Sequence, residues 1–423
     1  CRTVGHRPPI TAREISFVLR RFNEMVEINY STFQALRPHF DALARVGYFK
    51  IVLKQLCPIR HFFHNVYRGV ILALVLGYNL QHIIRVIQVR HSTEKMVDTL
   101  FILLTILNTL GKQAAFNLRS RRIDQIVSVI NGPVFAPTKP YHVKVLKENA
   151  VAMSRLLTLY HVAVFTCGSL WTIFPIVNRA LGEDVDFTGY YPFDITRSPA
   201  FELALTYMTI LITGQAYGNV TMDCTIVAFY AQAKIQIQML RYNLEQLPDE
   251  DDDVKINRNG IKKTNETVNK DDIGAVKIHK RFIKCVDHYD QIEVESIFGE
   301  AMVIQFFVMA WVICMTVYKI VGLSILSAEF VSMAVYLGCM LAQLFIYCYY
   351  GTQLKVESEY INQSIYCSRW LALPPRFRRQ LFVLMQCCSR PLAPRTAYII
   401  PMSLETYIAV LRTSYTLFTF LNR

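Results

Sequence analysis

Arg412, Thr416 and Phe420 recur at every fourth position near the end of the chain, with Ala409, Thr413 and Arg423 beside that line. At 3.6 residues per turn these positions share one face of a helix, while Leu404, Ile408, Leu411 and Leu417 cover much of the remainder. A small, hydroxylic and basic stripe on an apolar helix is poorly matched to lipid. It suits either the interior of the helix's own bundle or the wall of an aqueous path for ions, and the second reading is the one adopted. Glu405 and Arg412, seven apart, can pair within the helix or between subunits. Asp98, Glu202, Asp223, Glu300 and Glu329 sit near the ends of apolar runs, where snorkelling or capping accounts for them, and Lys112 stands near the end of its run. A transporter or an intramembrane enzyme would want such groups in mid-span. The sequence has no HExxH, GxSxG, phosphate-loop or paired-carboxylate motif, and its 11 cysteines form no CxxC pair. Catalysis, a bound metal and a cofactor are therefore not expected.

The elements that hold this stripe are membrane helices. Hydrophobic residues make up 53% of the 423 and charged residues 18%, below the roughly 25% charge of soluble domains. A net charge of +13 raises the question of nucleic acid, but the basic residues flank apolar runs, so no nucleic-acid partner is expected. About 20 apolar residues cross a hydrocarbon layer of roughly 30 Å. Runs of that kind occur at Phe62–Ile84, Met96–Leu118, Leu156–Asn178, Leu203–Met222, Ala301–Tyr318 and Phe330–Leu354, and the seventh is Pro401–Leu421. The expected fold is an all-α membrane protein of seven transmembrane helices, several of which outlast the bilayer, because helical apolar periodicity continues from Asp223 to Leu247 and again before Glu300.

This divides the chain into an N-terminal cytoplasmic segment (1–61), helices one to four (62–245), a polar linker read as largely disordered (246–285), helices five and six (286–354), an amphipathic cytoplasmic anchor (355–395) and the last helix (396–423). With the N-terminus inside, the bulk of the Lys and Arg, including Arg119, Arg121 and Arg122, lies on the cytoplasmic side. The loop after the third span carries Glu183, Asp184, Asp186 and Asp194 and falls outside. The C-terminus is then extracellular. A G-protein-coupled receptor would have the opposite orientation.

In this frame, YYPFDITRSPAFELALTYM, RWLALPPRFRRQLFVLMQCCSRPLAPRTAYIIPMS and SLETYIAVLRTSYTLFTFL occur in an order and spacing that resembles the insect odorant receptors over nearly the whole chain. The related gustatory receptors share the topology, but their last helix typically reads TY, apolar residues, then QF. Here Thr406 and Tyr407 are followed by IAVLRTS, which favours the odorant branch. The resemblance implies an odorant-gated, non-selective cation channel, with this chain as the tuning subunit of a heterotetramer with the co-receptor Orco in the plasma membrane of olfactory neuron dendrites. Cytoplasmic helix ends would form the subunit contacts. One final helix per subunit would surround the pore, with Phe420 at its outer constriction and Arg423 one turn further out.

The resemblance further implies a pocket for a small volatile among helices two, three, four and six. Helical spacing then offers Val97, Leu100 and Phe101 from helix two, and Val164, Cys167 and Trp171 from helix three. Helix four offers Tyr207, Met208 and Ile212, and helix six offers Met333, Tyr336 and Cys339. Such a lining excludes water and offers aromatic surface with few directional bonds, so broad or aromatic-preferring tuning is expected.

Overall fold

The computed structural model describes residues 30–51, 58–182, 187–195, 197–247, 270–292, 299–322, 328–396 and 400–421. Most of the linker at 246–285 that the sequence marks as disordered, up to residue 269, lies outside them, as does Arg423. After a 3-10 turn at Thr32–Ala35 come α1 (Arg37–Arg45), α2 (Pro58–Gln88), α3 (Thr93–Leu118), α4 (Ser120–Ile130), α5 (Pro140–Ala180) and α6 (Ala200–Glu245). They are followed by α7 (Lys270–Gln291), α8 (Gly299–Gly322), α9 (Ala328–Cys367), a 3-10 turn at Trp370–Ala372, α10 (Pro375–Cys387) and α11 (Leu404–Leu421). The strands among the described residues are Arg395–Thr396 and Ile400–Pro401, an antiparallel pair just ahead of α11. The fold is all-α, as the sequence predicts. Proline stands in the first turn of α1, α5 and α10, where its missing N–H costs nothing and its fixed φ suits a helix start.

Among the described residues, four helices are long and apolar enough to cross a membrane: α2, α5, and the stretches Met302–Gly322 of α8 and Phe330–Cys367 of α9. The other three predicted spans fall in α3, α6 and α11, where polar side chains dilute the apolar run. In α3 and α6 polar groups turn inward: Asn108, Lys112, Asn219 and Asp223 are all buried. At 1.5 Å per residue the 46-residue α6 is about 69 Å long, twice the hydrocarbon thickness, and α5 and α9 also overshoot. α5 runs through Pro175 without ending.

The overshoot builds the largest core. Leu36, Phe40 and Leu43 of the N-terminal turns pack with Ile123 of α4, the second half of α6, Phe282 of α7, Leu354 to Ile365 of α9, and Leu381 of α10. A polar ladder runs along the same stretch of α6 and α9. Arg241 donates from Nη1 to Glu357 Oε2 at 2.5 Å and from Nε to Ser364 Oγ at 2.9 Å. Lys234 donates to Gln353 at 3.1 Å. In α7, His288 lies edge-on to Phe135 at 5.0 Å and pairs with Gln236 Oε1 at 3.1 Å. Burial, reinforced by nearby His142, pulls its pKa down to about 4, so at pH 7 it is neutral and donates from Nε2.

Two close approaches lock this frame. The ring of Tyr48, itself buried, lies where a side chain on Gly218 would stand, so the segment after α1 seats directly on the α6 backbone. The carbonyl of Met402 lies where a Cβ on Gly351 of α9 would be. The start of α11 is fixed there, and Leu404 N–H donates to Thr352 Oγ1 at 3.0 Å.

Candidate functional site

α3, α5, α6 and α9 line a cavity of ≈ 130 Å³. Each contributes a face at helical spacing: Ile102, Thr105, Ile106 and Thr109 from α3; Tyr160, Val164, Cys167 and Trp171 from α5; Ile212, Gln215, Ala216 and Asn219 from α6; Tyr336, Cys339, Met340 and Gln343 from α9. Trp171 and Tyr336 form one wall, with ring centroids 6.2 Å apart. The sulfurs of Cys167 and Cys339 are 4.0 Å apart, a polarisable contact across α5 and α9. An apolar cavity of about 150 Å³ inside a protein takes up benzene, so the space here is of single-ring size.

The structure brings the sequence candidates Val164, Cys167, Trp171, Ile212, Tyr336 and Cys339 together on this wall. Leu100, Tyr207, Met208 and Met333 do not line it. Tyr207 instead donates to Gln81 Oε1 at 3.2 Å and packs edge-on to Tyr78, while Met208 sits against the Phe187, Phe201 and Leu205 cluster. Met333 is buried and Leu100 half-buried elsewhere in the bundle. Val97 and Phe101 belong to α3, but their side chains lie outside the described set. The cavity therefore sits about a turn deeper along α3 than those residues, at Ile102 to Thr109. The apolar pattern continues through that turn, which is a signal the sequence does carry.

The polar floor was not anticipated. Lys112 of α3 and Asp223 of α6 form an ion pair with Nζ to Oδ1 at 2.5 Å, and their side chains are 2% and 5% exposed. Lys112 also donates to Asn219 Oδ1 at 2.8 Å, and both Gln343 and Tyr347 of α9 donate to Asp223. Asn219 and Gln343 line the cavity, so the ion pair lies immediately behind its floor. Neither snorkelling nor capping describes these two charges. They are paired across helices, as a buried charge must be. Asn108 of α3 donates to Gln305 of α8 close by, which ties in a further helix.

α11 packs on α8 and α9. Ser414, buried, donates to the carbonyl of Ala310 at 3.1 Å. The opposite face carries Arg412, Thr416 and Phe420, all exposed, with Phe420 at 77%. The stripe noted in the sequence thus points away from the chain's own bundle.

The 7tm Odorant receptor family model matches residues 92–415. Odorant receptor 46a, isoform B, of Drosophila melanogaster is 22% identical over 84% of this chain and 88% of its own length. Odorant receptor Or1 of Anopheles gambiae is 20% identical over 76% and 79%. Among solved structures, the insect olfactory receptor OR5 from Machilis hrabei in complex with eugenol superposes with a TM-score of 0.74 at 15% identity, covering 91% of this chain and 97% of that one. The ligand-free form of the same receptor gives a TM-score of 0.74 over 96% and 98%.

Proposed function

This chain belongs to the 7tm Odorant receptor family, a membrane receptor family rather than an enzyme family, and on that premise we propose that it is the tuning subunit of an odorant-gated cation channel. A small volatile binds in the cavity between α3, α5, α6 and α9, and the central pore opens in a heterotetramer with the co-receptor. The observation that carries this reading is the single-ring-sized cavity with an aromatic wall, in a bundle matching a solved olfactory receptor. The bare polar face of α11 supports the pore assignment, because a helix with an exposed Arg412, Thr416 and Phe420 calls for neighbours other than lipid. In this arrangement the N-terminus is cytosolic, the overshooting ends of α5, α6 and α9 make the subunit contacts, and the complex lies in the plasma membrane of olfactory neurons.

Ligand binding shifts α9, which contributes the Tyr336 to Gln343 wall and contacts both α8 and α11. Displacement of α8 and α9 then moves α11 outward. The ligand must bind the open state better than the closed one, since equal affinity shifts nothing. In cells expressing the chain with the co-receptor, Trp171→Ala should raise the half-activating concentration of single-ring volatiles about tenfold at unchanged surface level, through loss of the aromatic wall. Unmoved curves for every agonist would remove Trp171, and the cavity with it, from the binding site.

A further inference from the structure

Most polar groups at the cavity are spoken for: Asn219 and Gln343 hold the ion pair. Gln215 is different. Its side chain is 4% exposed and lines the cavity, yet neither its amide oxygen nor its amide nitrogen has a hydrogen-bond partner among the described residues. The hydroxyls of Tyr160 and Thr213, which line the same cavity, are also buried with no partner among the described residues. Leaving such groups unsatisfied is costly, so the cavity offers hydrogen-bonding capacity that an occupant can take up. An amide with both functions free, next to two hydroxyls, is matched by a head group that both donates and accepts, and on a small ring the simplest such group is a hydroxyl. A ligand hydroxyl donates to Gln215 Oε1 while its oxygen accepts from Nε2, Tyr160 or Thr213. A ketone, ester or ether only accepts and leaves Oε1 bare. A hydrocarbon leaves every one of them bare.

The geometry points to a hydroxyl-bearing single-ring volatile, a phenol or small aromatic alcohol, as the preferred ligand class, with Gln215 as the residue that sets this preference. This rests on the cavity being the odorant site. The wall of Trp171, Ile212 and Tyr336 holds the ring and grants little discrimination, while Gln215 discriminates through the penalty of leaving its amide unpaired.

The test is a set of concentration-response curves for volatile-evoked current in cells expressing the full chain with the co-receptor, at matched free aqueous concentrations. Phenol is compared with toluene, and benzyl alcohol with ethylbenzene, so that each pair exchanges a hydroxyl for a methyl group. The hydroxyl member should activate at about tenfold lower concentration. Gln215→Met should weaken it about tenfold, leave the hydrocarbon within about twofold, and not lower surface expression, because no hydrogen bond is lost in the unliganded protein. Equal potency within both pairs in the wild type overturns the proposal, whether or not the variant reaches the surface. So does an equal shift of both members in Gln215→Met. If Trp171→Ala shifts both members of a pair while Gln215→Met leaves their ratio unchanged, the Gln215 assignment alone falls. If none of the four compounds evokes current from surface-expressed protein, the hydroxyl preference falls, and curves for other agonists that Trp171→Ala leaves unmoved take the cavity assignment with it.

Discussion

Asp223→Asn will collapse the yield of folded protein at the cell surface. The asparagine keeps the shape but only one acceptor oxygen, so it cannot serve both Gln343, which donates to Oδ2, and Tyr347, which donates to Oδ1, and it leaves the ammonium of Lys112, 2% exposed, facing a neutral amide. Removing one partner of a buried ion pair costs about 3–5 kcal/mol, a large part of a total stability of about 5–15 kcal/mol. Lys112→Met is expected to do similar harm, since it strands the carboxylate against two remaining donors. The double variant Lys112→Met, Asp223→Leu should recover much of the yield and of the thermal midpoint in detergent, because an apolar pair of similar volume often replaces buried ions without loss. The check is fluorescence-detected size exclusion across a temperature series for the four proteins. A double variant no more stable than either single variant, or a wild-type midpoint for Asp223→Asn, would contradict the burial and pairing described above.

Phe420→Ala should produce current without any odorant. Phe420 is 77% exposed on the face of α11 opposite the buried Ser414, and it continues the line of Arg412 and Thr416. In a ring of such helices a narrow apolar constriction empties of water and blocks ions without a plug, and an aromatic side chain narrows it further than a small one. Shortening it to a methyl group widens the ring and lets water persist. Recordings from cells expressing Phe420→Ala with the co-receptor should show raised basal current and altered permeability ratios between cations. Basal current, block and permeation all equal to the wild type would take Phe420 out of the gate.

The helices at the seven predicted spans were legible as apolar runs, four of them long and apolar enough among the described residues to cross a membrane, and the extension of α6 to Glu245 was legible too, because its apolar period persists while charge appears after Asp223. The missed element is the ion pair. Lys112 and Asp223 each stand near the edge of an apolar window, and read one helix at a time each has a solvent-side explanation. Their pairing joins positions 111 residues apart, and no local period encodes it. Gln215 was missed for a related reason. A single glutamine among Ile212, Thr213 and Ala216 has no special spacing, and its significance comes only from the absence of a partner around it. Tyr207 and Met208 show the opposite error: Met208 sits one helical turn before Ile212 with Tyr207 beside it, yet the neighbouring Tyr78 and the Phe187 cluster occupy them. Buried charges between helices are also what a transporter would carry. Here three further side chains, Asn219 of α6 and Gln343 and Tyr347 of α9, tie the pair down, which suits a fixed floor better than a moving carrier site.

The central claim is that a volatile opens an ion path through the protein itself. Outside-out patches excised from cells expressing this chain with the co-receptor, bathed in solution free of nucleotides, isolate that step from cytosolic messengers. The account predicts cation current that rises at once on application of phenol or benzyl alcohol and decays on washout. Current that requires GTP, or its absence for every volatile applied to patches carrying surface-labelled protein, would contradict it.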